Sequence, residues 1–246
     1  MAGERAGSGP TRRFPRGPSE ETLLARLERI ADAYGIVLFL ILVTFVVIVT
    51  LPPQGWAGRV AAVAIAGATA IIALTSSDVR LERARFAALW AVVATVLAIL
   101  AKIFDSRWLL GIAFIIISLL LTVAAGTILR RVILAVDVSF RTILGAISVY
   151  TLIGLLFGNL FLALGQLKGG TVFAGVSHAD ARDYMFFSYT TLTTTGYGNL
   201  VPQGDIGQIL AVFEMLAGQI FLVTLVAGLV SLWRPGARPL PDEPRD

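Results

Sequence analysis

Tyr184-Met185-Phe186-Phe187-Ser188-Tyr189-Thr190-Thr191-Leu192-Thr193-Thr194-Thr195-Gly196-Tyr197-Gly198-Asn199-Leu200-Val201-Pro202 lies between two long apolar runs and continues neither of them. Its first ten residues read as about three helical turns, roughly 15 Å at 1.5 Å per residue. That is half of the roughly 30 Å needed to cross a hydrocarbon layer. The interval between the flanking runs, 168 to 205, is too long for a tight turn and too short for a further crossing with two loops. The segment is therefore expected to enter the membrane partway as a short helix and return as a loop.

Non-helical backbone is tolerated at membrane depth only where it is buried in protein or lines a water-filled cavity, so this loop is expected to line a hole. Carbonyl oxygens turned to one side can replace the water shell of a bare potassium ion without introducing a full negative charge. Turning consecutive carbonyls inward requires dihedrals that alternate between right- and left-handed regions, which Gly196 and Gly198 reach at little steric cost. The Thr194 hydroxyl would add oxygens at the inner end. The short helix would aim the negative end of its dipole at the middle of the pore.

Thr194-Thr195-Gly196-Tyr197-Gly198 resembles the Thr-Val-Gly-Tyr-Gly filter of potassium channels, and Thr190-Thr191-Leu192-Thr193 resembles the end of their pore helix. From Thr142 to Trp233 the chain is similar to that family's outer helix, pore loop and inner helix. The resemblance implies potassium sites at the carbonyls of Thr194, Thr195, Gly196 and Tyr197, with Gly198 completing the filter. It also implies a homotetramer around one axis, with potassium as the transported substrate and no cofactor. Thr195 stands where Val or Ile is usual and Asn199 where Asp is usual; the resemblance places both side chains behind the filter, with Asn199 as a support. Conduction should survive these departures, while inactivation and filter rigidity stay open. The chain has no second Gly-Tyr-Gly and no repeat of the pore unit, which argues against a single-chain transporter.

Working outward, 57% of the 246 residues are hydrophobic, 15% are charged and none is cysteine. This is the composition of a membrane protein, and it excludes disulfides, thiolate metal sites and cysteine nucleophiles. Twenty Lys and Arg exceed sixteen Asp and Glu, but they fall in short clusters between apolar runs, which fits membrane topology and not nucleic-acid binding. Six runs read as spans: Tyr34 to Leu51, Ala57 to Thr75, Phe86 to Ala101, Trp108 to Leu129, Thr142 to Leu167 and Ile206 to Trp233. Spanning segments must be helical, so the expected fold is an all-α membrane protein with six transmembrane helices and a re-entrant pore helix and filter loop between the fifth and sixth.

With six crossings, fifteen Lys and Arg fall on one face, against Arg59, Lys102, Arg107, Lys168 and Arg182 on the other. Both termini are therefore expected in the cytoplasm of a multi-pass plasma-membrane protein. Pro52 and Pro53 follow the first run without a small-residue cleavage pattern, so that run reads as a retained helix.

The chain divides into a disordered tail over 1–18, an interfacial amphipathic helix over 19–33, a four-helix unit over 34–129, a linker helix over 130–141, a pore domain over 142–233 and a short tail over 234–246. The interfacial reading rests on Leu23, Leu27, Ile30 and Tyr34 at helical spacing with Arg26 and Arg29 off the stripe. A plain extension of the first span is the equal alternative. Within the pore domain the pore helix is expected at 184–193, the filter at 194–199 and the inner helix at 206–233.

Six spans with a pore loop after the fifth resemble the voltage-gated architecture, whose fourth span carries Arg or Lys at every third position. Here the stretch from Trp108 to Leu129 has no charge. Moving one charge across the membrane is worth about 2.3 kcal/mol per 100 mV, so this span has little with which to sense voltage.

Glu214 is the ionisable residue inside a predicted span and is expected to face protein or water, supporting the filter or simply bonding helices together. Gly218 reads either as a gating hinge, as the family resemblance suggests, or as a close-packing residue. His178 reads as a solvated loop residue and Asn159 as a contact between helices. No metal-ligand cluster, nucleophile constellation or phosphate loop is present, so the chain is not expected to be an enzyme. Competing readings are a non-selective cation channel, a non-conducting regulatory subunit and, less favoured, a secondary transporter.

Overall fold

The computed structural model describes residues 20–50, 56–75, 81–134 and 140–232. Seven helices follow in chain order: α1 (Glu20–Thr50), α2 (Trp56–Thr75), α3 (Leu81–Ile103), α4 (Arg107–Ile133), α5 (Phe140–Lys168), α6 (Ala181–Leu192) and α7 (Asp205–Leu232). Among the described residues there is no strand, only an isolated antiparallel bridge between Phe173 and Pro202. In lipid each backbone N–H and C=O must find a partner within its own segment, and helices provide that.

Among the described residues, five helical stretches are long and apolar enough to cross a membrane: Gly58–Thr75, Ala84–Ile103, Arg107–Ile133, Thr142–Lys168 and Asp205–Gly228. Where a span from Tyr34 to Leu51 was expected, α1 carries a shorter apolar stretch, Tyr34–Ile48; Leu51 lies outside the described residues. α1 is continuous from Glu20 to Thr50. Of the segment read as a linker helix, residues 130–133 complete α4, residues 140–141 begin α5 and residues 135–139 lie outside the described residues. The tails over 1–18 and 234–246 also lie outside them.

Helices α1 to α4 pack on one another as a bundle. Small residues set its spacing: Ala84, Ala87, Ala91, Ala94, Ala98 and Ala101 form the buried stripe of α3, and Ala62, Ala66, Ala70 and Ala73 that of α2. A Cβ placed on Gly67 would lie 3.1 Å from that of Ala91. Backbones approach closely along such seams, which suits van der Waals packing in lipid, where no hydrophobic drive operates between helices. Phe86, Leu89, Val92, Val96 and Ile99 of α3 are exposed, an outward apolar band suited to lipid.

α4 lies antiparallel along α5 of the same chain. Gly111 meets Leu167 and Ala163 near one end, and Gly145 meets Val132 near the other. Midway, the Ser118 hydroxyl is 3.5 Å from the Leu156 carbonyl oxygen. Two arginines join the bundle to the remainder at helix C-termini. Arg107 Nη1 donates to the Gly169 carbonyl just beyond α5 at 2.8 Å, and Arg182 Nε donates to the Ile48 carbonyl near the end of α1 at 3.1 Å. Cations suit helix C-termini, where unpaired carbonyls and the negative dipole end coincide. Two of the five minority-face cations thus have structural work.

Candidate functional site

The half-length helix begins in a capping box. The Asp180 carboxylate accepts from the N–H groups of Arg182 and Asp183 at 2.8 and 3.4 Å, and the Asp183 carboxylate accepts from the Asp180 N–H at 2.9 Å. This satisfies amides that a helix start otherwise leaves open. α6 therefore starts at Ala181, three residues before the pore helix read from the apolar pattern, and at twelve residues it is about 18 Å long.

α6 rests on glycines of α5. A Cβ on Gly154 would fall 2.7 Å from the Tyr189 ring, one on Gly158 would fall 2.5 Å from Met185 Sδ, and one on Gly165 would collide with the Tyr184 hydroxyl. Three large side chains of the short helix thus lie directly over α5 backbone. The Tyr189 hydroxyl donates to the Thr151 carbonyl at 2.6 Å, and the Tyr150 hydroxyl donates to the Leu192 carbonyl at 3.1 Å. These glycines, which look scattered in the sequence, make one cradle.

The loop leaves α6 through a helix-ending motif. Thr194 N–H donates to Thr191 O at 3.0 Å and Thr195 N–H to Thr190 O at 2.8 Å, the pair of bonds that closes a Schellman cap. The left-handed position of that cap, normally glycine, is Thr194 with φ +58°, an uncommon conformation for a β-branched residue. Gly196 and Gly198 follow with φ +52° and +77°, while Thr195 and Tyr197 do not have positive φ. Left-handed backbone therefore recurs at every second residue from Thr194 to Gly198.

The far end of the loop is pinned to the segment after α5. Ala174 N–H donates to Val201 O at 2.9 Å and Gln203 N–H to Val172 O at 2.7 Å. Phe173 is fully buried beneath this pairing, against Tyr184 and Phe187. Between these anchors Thr193 to Asn199 are exposed on the single chain. The Thr195 hydroxyl turns back to that of Thr193 at 2.8 Å, away from the loop tip. The Tyr197 ring, 70% exposed, stacks on Phe186 with centroids 5.6 Å apart.

Glu214 of α7 is fully buried. Its Oε1 is hydrogen-bonded to the Ser188 hydroxyl of α6, which also lies 2.7 Å from the Gly154 carbonyl of α5. Three helices meet at that point. The other carboxyl oxygen, Oε2, is buried with no hydrogen-bond partner among the described residues. One turn on, a Cβ at Gly218 would lie 2.6 Å from the Leu192 carbonyl oxygen. The inner helix therefore touches the last turn of α6 backbone to backbone, and Gly218 is a close-packing residue in this conformation. Tyr150 and Phe221 stack beside it with centroids 5.8 Å apart.

His178 is exposed in the loop before α6. Asn159 does not bridge to a second helix through its amide nitrogen, which donates to Leu155 O of its own helix at 2.7 Å. No group of His, Cys, Asp or Glu suited to a metal occurs among the described residues. The sequence reading missed Ser188, Tyr150 and the α5 glycines. The four-residue spacing of Gly154 and Gly158 was the available signal, but the side chains they receive come from about 30 residues away.

A long helix, a twelve-residue helix, a loop with alternating left-handed backbone and a second long helix thus follow one another in an all-helical, multi-pass membrane protein. Residues 149–234, from within α5 to just beyond α7, match the model of the family described as "Ion channel". This segment is thus similar in sequence to ion channels. Over 64 residues, 26% of this chain, the sequence is 36% identical to the inward rectifier potassium channel Kirbac3.1 of Paramagnetospirillum magnetotacticum. The chain spans about a fifth of the length of that relative, 22%.

Proposed function

We propose that the protein is a potassium-selective channel in which four copies place their loops around one axis and pass potassium through rings of carbonyl oxygens from Thr194, Thr195, Gly196 and Tyr197. The observation that carries this reading is the positive φ at Thr194, Gly196 and Gly198, at the end of a helix too short to cross. Alternating handedness is what turns successive carbonyls to one side. One loop cannot surround an ion, and the exposure of Thr193 to Asn199 on the single chain favours their meeting symmetry copies. α7 supports the same reading. Only 22% of its apolar span is covered by its own chain, leaving Ile206, Ile209, Phe213, Leu216 and Ile220 for neighbours and lipid.

In this account α1 supplies the sixth crossing, α6 is re-entrant, both termini are cytoplasmic and the membrane is the plasma membrane. Glu214 and Asn199 support the filter. Gly218 is the hinge, and its bending would part α7 from Leu192 at the foot of the filter. Opening does not depend on a charged fourth helix, because α4 has no charge between Arg107 and Arg130. Purified protein in liposomes provides the test. Potassium-driven flux with a reversal potential that follows the potassium gradient and not an opposed sodium gradient is expected, with loss of flux in Gly196→Ala. A reversal potential midway between the gradients would mean a non-selective cation channel, and silence from a folded tetramer would mean a non-conducting subunit.

A further inference from the structure

The five cations on the minority face are not spread along it. Arg59 of α2, Lys102 of α3 and Arg107 of α4 converge on one cavity of about 250 Å³, which Ala98, Ala101 and Leu110 also line. Gln166 of α5 and Ser106 also reach its wall, and Asp105 is the single acid there. Three positive charges against one, drawn from three helices, leave a net excess of two, an arrangement suited to an anion.

The surroundings identify which anion. The turn between α3 and α4 exposes Ile103, Phe104 and Trp108 at 67%, 69% and 65%. Large apolar and aromatic groups at the end of two membrane-capable helices belong in the interfacial layer, where the phosphates of phospholipids lie. The cations lie on the helix ends that carry these groups, and Ala98, Ala101 and Leu110 supply the apolar part of the cavity wall.

We propose that this cavity is a phospholipid site: the lipid phosphate is held by Arg59, Lys102 and Arg107, and the acyl chains run down the exposed sides of α3 and α4. Arg107 also donates to the Gly169 carbonyl at the end of α5. A lipid held here therefore touches the helix that leads to the pore loop. The site depends on α3 and α4 lying in a membrane and does not depend on conduction or selectivity.

Native mass spectrometry of the full-length protein in detergent, titrated with dioleoylphosphatidylglycerol, dioleoylglycerol or inorganic phosphate, tests this. Arg59→Gln combined with Lys102→Gln leaves the Arg107 contact in place. At roughly fivefold for each interfacial cation, the double variant should bind phosphatidylglycerol about thirtyfold more weakly. Asp105→Asn, which asparagine tolerates at φ +47°, should bind about fivefold more tightly and keeps the test open if the double variant fails to fold. Equal phosphatidylglycerol binding by wild type and variants overturns the proposal. So does equal retention of dioleoylglycerol, which has no phosphate. Binding of inorganic phosphate with no preference for the lipid would assign the cavity to a free anion and overturn the lipid reading.

Discussion

Replacing Gly218 by alanine sets two effects of known size against each other. Alanine is the better helix former by about 1 kcal/mol, so in open space the change stabilises. At Gly218 the new methyl would stand 2.6 Å from the Leu192 carbonyl oxygen and 2.8 Å from its Cδ1, and reaching 3.4 Å from the oxygen means a retreat of about 0.8 Å. The obstacle is backbone, and the Tyr150 hydroxyl already holds that oxygen at 3.1 Å. Overpacking of this kind costs about 1 to 3 kcal/mol, which outweighs the propensity gain. Thermal unfolding of the purified protein should show Gly218→Ala less stable. Potassium flux should fall with it, because displacing Leu192 displaces the turn from which the filter loop starts. Gly126→Ala is the control: it lies on α4 with nothing within 4 Å and should be neutral or stabilising. If Gly218→Ala melted at or above the wild-type temperature with undiminished flux, the backbone contact between α7 and α6 would be refuted.

Other predictions concern the contacts around the loop. Gly158→Ala should cost less than Gly218→Ala in the same unfolding assay, since the atoms in its way, Met185 Sδ and Cε, are the end of a flexible side chain that can move aside. Glu214→Gln, which keeps a hydrogen-bonding partner for Ser188, should retain most tetramer stability and flux. Glu214→Leu should lose about 0.5 to 1.5 kcal/mol with the hydrogen bond that ties α7 to α6, the Ser188 hydroxyl keeping the Gly154 carbonyl as its partner; equal behaviour of the two variants would remove the linking role. The conductance to voltage curve of reconstituted channels should be shallow, and steep sigmoidal opening carried by several gating charges would contradict the reading of α4.

The backbone of the loop after α6 was legible because its constraint is local: Gly196 and Gly198 are the residues that reach left-handed backbone cheaply, and both have it. Thr194 has the same conformation without a sequence signal, since a β-branched residue argues against it; the Schellman bonds to Thr190 and Thr191 impose it. The start of α6 was placed late because Asp180 and Asp183 read as polar loop, although their spacing is that of a capping box. Hydropathy located five of the long apolar helices but gave no sign that α4 lies along α5 of its own chain. That packing depends on Gly111 and Gly145 meeting residues remote in sequence. The buried position of Glu214 followed from the cost of an ionisable group in lipid, whereas its partner Ser188, an ordinary serine in a short helix, could not be singled out.

Density along the symmetry axis of the assembled protein, determined by cryo-electron microscopy in potassium and again in sodium, tests the central claim most directly. The account predicts four loops facing one axis, with ion density in potassium between the carbonyl rings of Thr194, Thr195, Gly196 and Tyr197. Loops turned toward lipid, or a closed axis without ion density in potassium, would contradict it.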